Sequence, residues 1–513
     1  MAARFGWNPG NARPPKAPLD WRAKLLGLLT GVAGGGLSLY ALTSAWVCDD
    51  AWFSLRSAWN LAHGYGLVFN PGERVQAFTS PLWTLLAALP MAAGLPGFVA
   101  ALLLSGLCTL GLVALLTRRG GAGPGAAALA LVILFSSKAF VDYCSSGLEN
   151  PLIHLLYLGF LVRWARDPHL HPRALGLLTA LLLLTRLDLA LLVLPHLAAL
   201  LIGRHGLRRL PGLLLGLLPL LGWELFSLAY YGSLVPCTAI AKLGDAGLSR
   251  GFLLERGLAY LHEGLAWDPV TLPVIALGLA LAALGPRRTT LPTAAGVLLY
   301  VGYIVWIGGD FMAGRFLAAP LLGAVFVIAQ QPRLERLAWL LPPYALAIAV
   351  AYLAPRSPMN ALTYDDFDPS APTYTARQVA DERLVYHERG GIIPGLRRIL
   401  QEGEGVDGPH ELIVFEEVAG WNAYIAGPGC HVVNPYGLSD AFIARLPAEP
   451  PGQERAGHVT RSIPPGYLDS LRDGVNQLDD PGQRALLDDL WQATRAPLLA
   501  PGRAGAILRL HRR

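Results

Sequence analysis

The chain has 513 residues, of which 53% are hydrophobic and only 15% charged, and its mean hydropathy is +0.42. This composition excludes an ordinary water-soluble enzyme and indicates a protein that crosses a membrane several times. The formal net charge of +5 comes mostly from scattered arginines, and no basic patch interleaved with aromatic residues predicts nucleic-acid binding.

The first predicted element is a membrane helix over residues 25–47, which follows a basic segment, residues 1–24. The apolar run is long and lacks a convincing A-x-A cleavage site, so it predicts an uncleaved anchor rather than a signal peptide. Residues 79–93 are expected to form a helix beside the membrane rather than a crossing. Ten further spans are predicted near 96–117, 125–141, 150–164, 174–185, 189–203, 210–230, 271–285, 290–307, 316–330 and 337–354. The predicted fold is a polytopic α-helical membrane protein with about eleven transmembrane helices.

Basic residues set the predicted orientation. The short inner loops carry roughly twice as many Lys and Arg as the longer outer loops, so the N-terminus is predicted to be cytoplasmic. Residues 355–513 then lie outside, where turn formers and the β-branched stretch 411–418 predict a soluble extracytoplasmic α/β domain. Amino-acid usage that is rich in Arg, Ala and Gly and poor in Lys indicates a high-GC bacterium. The expected location of the chain is the bacterial inner (plasma) membrane.

Cysteine usage predicts neither zinc binding nor a disulfide framework. None of the five cysteines is in a CxxC pair, and an odd, widely spaced set favours single buried thiols over a disulfide. They are Cys48, Cys108, Cys144, Cys237 and Cys430.

Polar clusters fall on the predicted outer side of the membrane. Five stretches share this property: "CDDAWFSLRSAWNLAHG", "DYCSSGLENP", "TRLD", "YYGSLVPCTAIAKLGD" and "GGDFMAGR". Ionisable residues near membrane spans are costly unless they line a wet cavity or pair with one another, so the pattern favours one shared cavity. The alternative is that outer loops are longer and simply collect polar residues.

The first outer loop, residues 48–80, begins with two adjacent carboxylates. On a helix, one face would carry Asp49, Trp52, Phe53, Arg56, Trp59, Asn60 and His63. Structural alternatives are a helix cap for Asp50, an interfacial aromatic belt for the two tryptophans, and a surface histidine before Gly64. A cap, however, needs one aspartate and not two.

Other candidates lie in the later clusters. Glu149 is either a charge that favours a helix N-terminus or a second cavity acid, and Asp310 follows Gly309 on a loop with room for close ligand approach. Arg186 interrupts an apolar run and either pairs with Asp188 or binds a phosphate. Three cations are candidates for neutralising a phosphate: Arg186, Lys242 and Arg315.

These parts predict group transfer from a lipid phosphate. A carboxylate can deprotonate an incoming hydroxyl or stabilise an oxocarbenium-like centre, and cations can stabilise the departing phosphate. ATP-driven transport is excluded by the lack of a GxxxxGK[ST] loop. A lipid-linked-sugar flippase or exporter remains an alternative, although it would spread ionisable residues through the membrane depth.

The layout resembles the GT-C superfamily of polyprenyl-phosphate-sugar-dependent glycosyltransferases. Within it, "DDAWFSLRSAWNLAHGYGLVFNPGERVQAFTSPLWTLL" is similar to a long motif of the terminal arabinofuranosyltransferase family. Shorter elements look like further signatures of that group: "SSGLENPL", "LTRLDLALL", "YGSLVPCTAIAK", "GGDFMAGRFLAAP" and "NPYGLSDAFIAR". The chain departs from the pattern at Ala77, Ser80 and Cys237, which bears on sugar or acceptor preference.

The resemblance implies a GT-C transmembrane catalytic domain, residues 25–354, that uses a polyprenyl-phosphate-linked sugar. Arabinofuranose is the expected sugar, mannose or another hexose is the alternative, and a cell-envelope glycan or glycoprotein is the expected acceptor. Asp50 and Asp49 are implied as the catalytic acids, with Asp50 favoured as base. Trp52, Trp59 and His63 are candidates for the sugar face. No cofactor is predicted outright, although the two aspartates could hold a divalent cation.

Overall fold

Most of the chain folds into helices. The computed structural model describes residues 44–119, 123–167, 171–202, 206–243, 248–332, 378–402, 412–414, 419–449 and 458–512, with short helical pieces within 27–41 and 342–353 and residue 375. The predicted last span, 337–354, lies mostly outside these residues, and the predicted first span, 25–47, is described in part.

Helices occur at each predicted apolar run between 96 and 330, and further helices lie between these runs. Those of the first two thirds of the chain are α1 Asp49–Ala62, α2 Pro81–Ala92, α3 Gly97–Arg119, α4 Pro124–Ser136, α5 Lys138–Asp142, α6 Asn150–Arg166, α7 Pro172–Thr185, α8 Ala190–Ile202, α9 Leu210–Tyr230, α10 Cys237–Leu243, α11 Arg250–Trp267, α12 Thr271–Leu281, α13 Arg287–Trp306 and α14 Ala318–Ala329. Several begin with a proline in the first turn, where its fixed φ and missing N–H cost nothing. The helix predicted beside the membrane over 79–93 is α2.

Two features of these helices differ from the predicted runs. The span predicted over 125–141 breaks at Ser137, whose side chain accepts the N–H of Phe140 and caps α5 instead of continuing α4. Helix α11 was not predicted, because its charged residues lower its hydropathy below that of a span. It meets α12 at a bend of 106°.

The membrane character of the chain rests on the longest apolar helices. Within the described ranges, three segments are long and apolar enough to cross a membrane, or four if the bent pair α11 and α12 forms one span. They are Gly97–Thr117, Gly206–Tyr231 and Arg287–Trp306. Five shorter apolar helices accompany them. A helix of 13 residues is only about 20 Å long, less than the hydrocarbon thickness of a bilayer. The structure is therefore that of a mostly helical protein compatible with a membrane.

Close helix packing depends on glycines at one crossing. A Cβ on Gly176 of α7 would lie 2.2 Å from the carbonyl oxygen of Leu213 in α9, and one on Gly216 would lie 2.3 Å from that of Arg173. Any side chain at either position would push α7 and α9 apart. The large apolar core lies elsewhere, where α4, α6, α8, α13 and α14 pack together.

The last third of the chain packs onto residues 48–80, the predicted first outer loop. Its elements are α15 Glu382–Gly390, α16 Ile392–Glu402, β1 Leu412–Val414, α17 Ala419–Ile425, β2 His431–Val433, α18 Tyr467–Asp473, α19 Pro481–Thr494 and α20 Arg503–Arg512. Strands β1 and β2 pair in parallel, with Ile413 opposite Val432. The strand predicted over 411–418 is thus confirmed for Leu412–Val414, and 415–418 lie outside the described residues. The apolar core here also contains Phe69 from the first outer loop and Cys237 from α10.

Candidate active site

Helix α1 brings both aspartates to its first turn. It begins after Cys48, which is extended, and it ends before Gly64, whose φ of +84° stops the helix. Carboxylates in a first turn interact favourably with the helix dipole. Successive residues on a helix point about 100° apart, so the two side chains face different surroundings.

Asp49 faces the last third of the chain and caps another helix. Its carboxylate oxygens accept the backbone N–H groups of Gly420 at 3.0 Å and Trp421 at 2.8 Å, at the start of α17. The contact requires glycine, because a Cβ on residue 420 would lie 2.1 Å from the Asp49 carbonyl oxygen. Burial raises the pKa of Asp49 to about 6, although the two backbone donors act in the opposite direction.

Asp50 faces a cluster of charged residues instead. Its Oδ2 lies 3.6 Å from Nη1 of Arg315, and 24% of its side chain remains accessible. We call the surrounding residues the Arg315 cluster: Asp50, Glu149, Arg186, Asp188, Asp310 and Arg315. Asp50 is thus both paired with a cation and open to an incoming group.

Glu149 joins the two arginines of the cluster. Its side chain is 3% exposed, and its Oε1 lies 3.3 Å from Arg315 and 3.2 Å from Arg186. Arg186 is held further by Asp188, which accepts two hydrogen bonds at 3.0 Å from its guanidinium. Tyr300 donates to the same carboxylate at 2.8 Å. Both arginines are therefore oriented by carboxylates before any ligand binds.

Asp310 contributes a buried oxygen that has no hydrogen-bond donor. It follows Gly308 and Gly309, both with positive φ, and its Oδ1 accepts the backbone N–H of Phe311 at 2.9 Å. Its Oδ2 is buried without a hydrogen bond, and the nearest cation is Arg315 at 3.9 Å. Burial raises the pKa of Asp310, against the effect of the Arg315 and Lys242 charges. A buried oxygen left in this state is uncommon and calls for a ligand or a proton.

Lys242 lies beside the cluster on α10. Its side chain is open to solvent, yet surrounding protein desolvates the ammonium group and lowers its pKa, while the charges of Asp50 and Asp310 raise it. A side chain that is accessible and yet surrounded by protein indicates that Lys242 lies in a recess of the surface. Among the residues that the structure describes, no carboxylate lies within 4 Å of its ammonium group.

The remaining candidates on α1 contact other parts of the protein. Arg56 is buried and donates to the carbonyl oxygens of Phe69, Ala423 and Cys430, which ties α1 to the last third of the chain. Its donors are therefore engaged by backbone, away from the Arg315 cluster.

The aromatic candidates also pack against protein. Trp52 is buried against Trp421 and Tyr424, with ring centroids 4.4 and 4.6 Å apart. Trp59 stacks on His63 at 3.9 Å, and the His63 ring bonds to the Trp59 carbonyl. These contacts account for the three side chains without a ligand.

Sequence reasoning missed Trp421, which covers the start of α1 through Asp49 and Trp52. The polar and aromatic stretch "AGWNAY" was the only local feature that marked this residue, and it lies in the region predicted to be a separate domain. A contact across 372 positions leaves no trace in local periodicity.

A divalent cation held by the aspartate pair does not fit this arrangement. Both oxygens of Asp49 accept backbone N–H groups, and Asp50 turns towards a guanidinium. No group of three or more His, Cys, Asp or Glu side chains with metal-binding geometry occurs in the described ranges. All five cysteines are buried, and Cys48, Cys108, Cys144 and Cys237 are free.

Comparison with known proteins identifies two similar chains, both named terminal beta-(1->2)-arabinofuranosyltransferase. The protein of Mycobacterium tuberculosis is 33% identical over 326 residues, 54% of this chain and 51% of the relative. That of Corynebacterium glutamicum is 30% identical over 339 residues, 56% of this chain and 48% of the relative. The alignments thus span about half the length of each relative. No protein-family model matches the chain, and no solved structure does.

Proposed function

We propose that this chain is a membrane glycosyltransferase that transfers arabinofuranose from a polyprenyl-phosphate donor to a cell-envelope glycan or glycoprotein. The observation that carries the proposal is the accessible carboxylate of Asp50 held 3.6 Å from the guanidinium of Arg315. The names of the two similar proteins support the sugar and the reaction class.

Hydropathy and the distribution of arginine support the proposed membrane placement. In this arrangement about eleven helices of residues 25–354 cross a bacterial inner membrane. Residues 1–24 are cytoplasmic, and residues 355–513 are extracytoplasmic. The Arg315 cluster then lies at the outer surface, where a lipid-borne donor presents its phosphate and a glycan acceptor can approach from the water.

In the proposed reaction Asp50 is the general base. It takes the proton of an acceptor hydroxyl, whose oxygen forms a bond to the anomeric carbon of the sugar. The bond between that carbon and the phosphate oxygen breaks, and its electron pair leaves with the polyprenyl phosphate. Arg315 holds Asp50 in position through the 3.6 Å contact between the guanidinium and the carboxylate.

The other charged residues of the site bind different parts of the substrate in this proposal. Of the three candidate cations Arg186, Arg315 and Lys242, only Lys242 has no carboxylate within 4 Å among the described residues, so it is the best placed to bind the donor phosphate. The guanidinium groups of Arg186 and Arg315 are already held by carboxylates. Asp310 offers its unpaired Oδ2 to a sugar hydroxyl, which would supply the missing donor.

A transfer assay tests the proposal directly. Purified wild type and Asp50→Asn are incubated with synthetic short-chain polyprenyl-phosphate arabinofuranose and a panel of oligosaccharide acceptors. We expect transfer by wild type and a loss of at least about 100-fold in the variant, as for removal of a general base. Asp49→Asn is the matched control on the neighbouring residue.

Other outcomes separate the alternatives. Turnover with polyprenyl-phosphate mannose but not arabinofuranose would keep the mechanism and overturn the sugar. Wild-type activity in a folded Asp50→Asn variant would overturn the role of Asp50. Binding of intact lipid-linked sugars without turnover of any donor would favour a flippase or exporter.

A further inference from the structure

The loop between α19 and α20 carries the most exposed aliphatic side chain among the described residues. Leu499 is 97% exposed, and the adjacent Leu498 is 47% exposed. A single exposed leucine on a soluble surface needs no explanation. Two adjacent exposed leucines on one loop of a membrane protein indicate a surface that another apolar surface covers.

The loop is anchored to the end of a membrane span. Arg503, which begins α20, donates from Nη2 to the carbonyl oxygen of Tyr230 at 3.0 Å, and Arg74 donates from Nε to the same oxygen at 3.1 Å. Ile507 of α20 packs against Gly232, where an added Cβ would lie 3.0 Å from its side chain. Tyr230 is the last residue of α9.

The end of α9 lies at the depth of the membrane interface. Its 21 residues extend about 31 Å, which matches a hydrocarbon core of about 30 Å. Exposed leucines follow the helix to its last turn, at Leu225 and Leu228. Aromatic rings gather at this same end, as is typical of the boundary between hydrocarbon and headgroups. They belong to Trp223, Phe226, Tyr230 and Tyr231.

We infer that the loop 497–500 docks on the lipid bilayer beside α9, with Leu498 and Leu499 in the boundary between headgroups and acyl chains. Leu508 of the following helix α20 is 59% exposed, and we expect it to face the bilayer as well. Burial of these leucines in lipid removes apolar surface from water, which drives the contact. The last third of the chain is thereby held at the membrane from two sides, through α1 and through this loop.

Site-directed fluorescence in nanodiscs tests this contact. The five native cysteines are buried, so Leu499→Cys provides a single accessible thiol for an environment-sensitive fluorophore on the full-length protein. We expect strong quenching by doxyl groups on the lipid acyl chains near the headgroup, and at least about threefold protection from aqueous iodide relative to the control.

The matched control is Val475→Cys, which places the label on an aliphatic residue of the same region that is 63% exposed. The adjacent Asn476 bonds to Arg484 and Asp488 in the first part of α19. Arg484 lies about 15 Å along α19 from Thr494, the residue at which the helix ends before the loop 497–500. This label should be quenched by iodide and not by lipid.

A second reporter guards against a local effect of the label. Leu508→Cys should also be quenched by the lipid probe, and the added changes Leu498→Ser and Leu499→Ser should reduce that quenching several-fold. If the label at position 499 is reached by iodide as readily as the label at 475, and is not quenched by lipid, the loop does not contact the bilayer and the inference is wrong.

Discussion

Two of the charge networks among the described residues differ in how open they are to solvent. The first we call the Lys138 cluster: Lys138, Asp142, Asp381 and Arg383, all buried. Lys138 lies 2.5 Å from Asp142 and 3.1 Å from Asp381, and Arg383 lies 3.1 Å from Asp142. This network binds the start of α15 to α5 and is closed to solvent.

The Arg315 cluster has the same kinds of side chain but is open. Asp50 remains partly accessible, one oxygen of Asp310 has no donor, and Lys242 projects into solvent beside them. Buried polar groups are normally satisfied, so exceptions gathered in one place mark a site where a ligand completes the network. The comparison indicates that access to solvent, more than buried charge, distinguishes the candidate site from a structural clamp.

The largest expected effect comes from breaking the closed network. Asp142→Asn leaves Lys138 and Arg383 with too little negative charge in a buried position, and the free energy of unfolding should fall by about 3–5 kcal/mol. Thermal unfolding of the purified protein in detergent measures this loss. Asp50→Asn should leave the midpoint nearly unchanged while it removes activity. Equal destabilisation by both changes would contradict the distinction between the networks.

The next effect concerns the orientation of Arg315. In Glu149→Gln the two arginines lose the carboxylate between them, so Arg315 shifts relative to Asp50 and kcat should fall on the order of 100-fold. The KM for the donor should change little, because Glu149 is buried and does not face the recess. Glu149→Asp should restore part of kcat. A rise in KM at constant kcat would assign Glu149 to substrate binding instead.

A smaller effect is expected for the cation in the recess. Lys242→Met removes the charge proposed to bind the donor phosphate, so the KM for the donor should rise at least about tenfold with a lesser change in kcat. Lys242→Arg should retain most of the affinity. Kinetics at two ionic strengths provide the check, since wild type should lose affinity in salt and the Met variant should not. An unchanged KM in Lys242→Met would exclude this lysine as the phosphate ligand.

The smallest effect concerns Asp49, whose contacts join α1 to α17. Burial raises its pKa from 3.8 to about 6. The folded protein therefore binds an extra proton between about pH 4 and 6, and its free energy of unfolding falls as the pH rises through that window. In Asp49→Asn this pH-dependent decrease in the free energy of unfolding, on the order of 1 kcal/mol, should be absent. Turnover should stay within about tenfold of wild type. Unfolding midpoints at pH 4.5 and 7 test this, and an identical pH dependence in both proteins would show that Asp49 does not titrate there.

Local sequence predicted much of the helical framework and most of the charged residues that come together. Prolines at helix starts, glycines at helix ends and long apolar runs are local signals, and helices occur at the predicted runs between 96 and 330. Helix α11 and the break at Ser137 were not predicted, because hydropathy does not report a side chain that caps a helix or a helix whose apolar residues are interspersed with charged ones.

The sequence by itself determined that the chain is apolar and helical, and that Asp49 and Asp50 begin a helix. Only the tertiary structure decided which carboxylate does what. Asp49 caps α17 from 371 positions away, while Asp50 faces Arg315. Adjacent residues on a helix point about 100° apart, but the direction of each is set by what packs around the helix. Those neighbours come from distant segments, and their contacts depend on how the helices pack rather than on any local pattern.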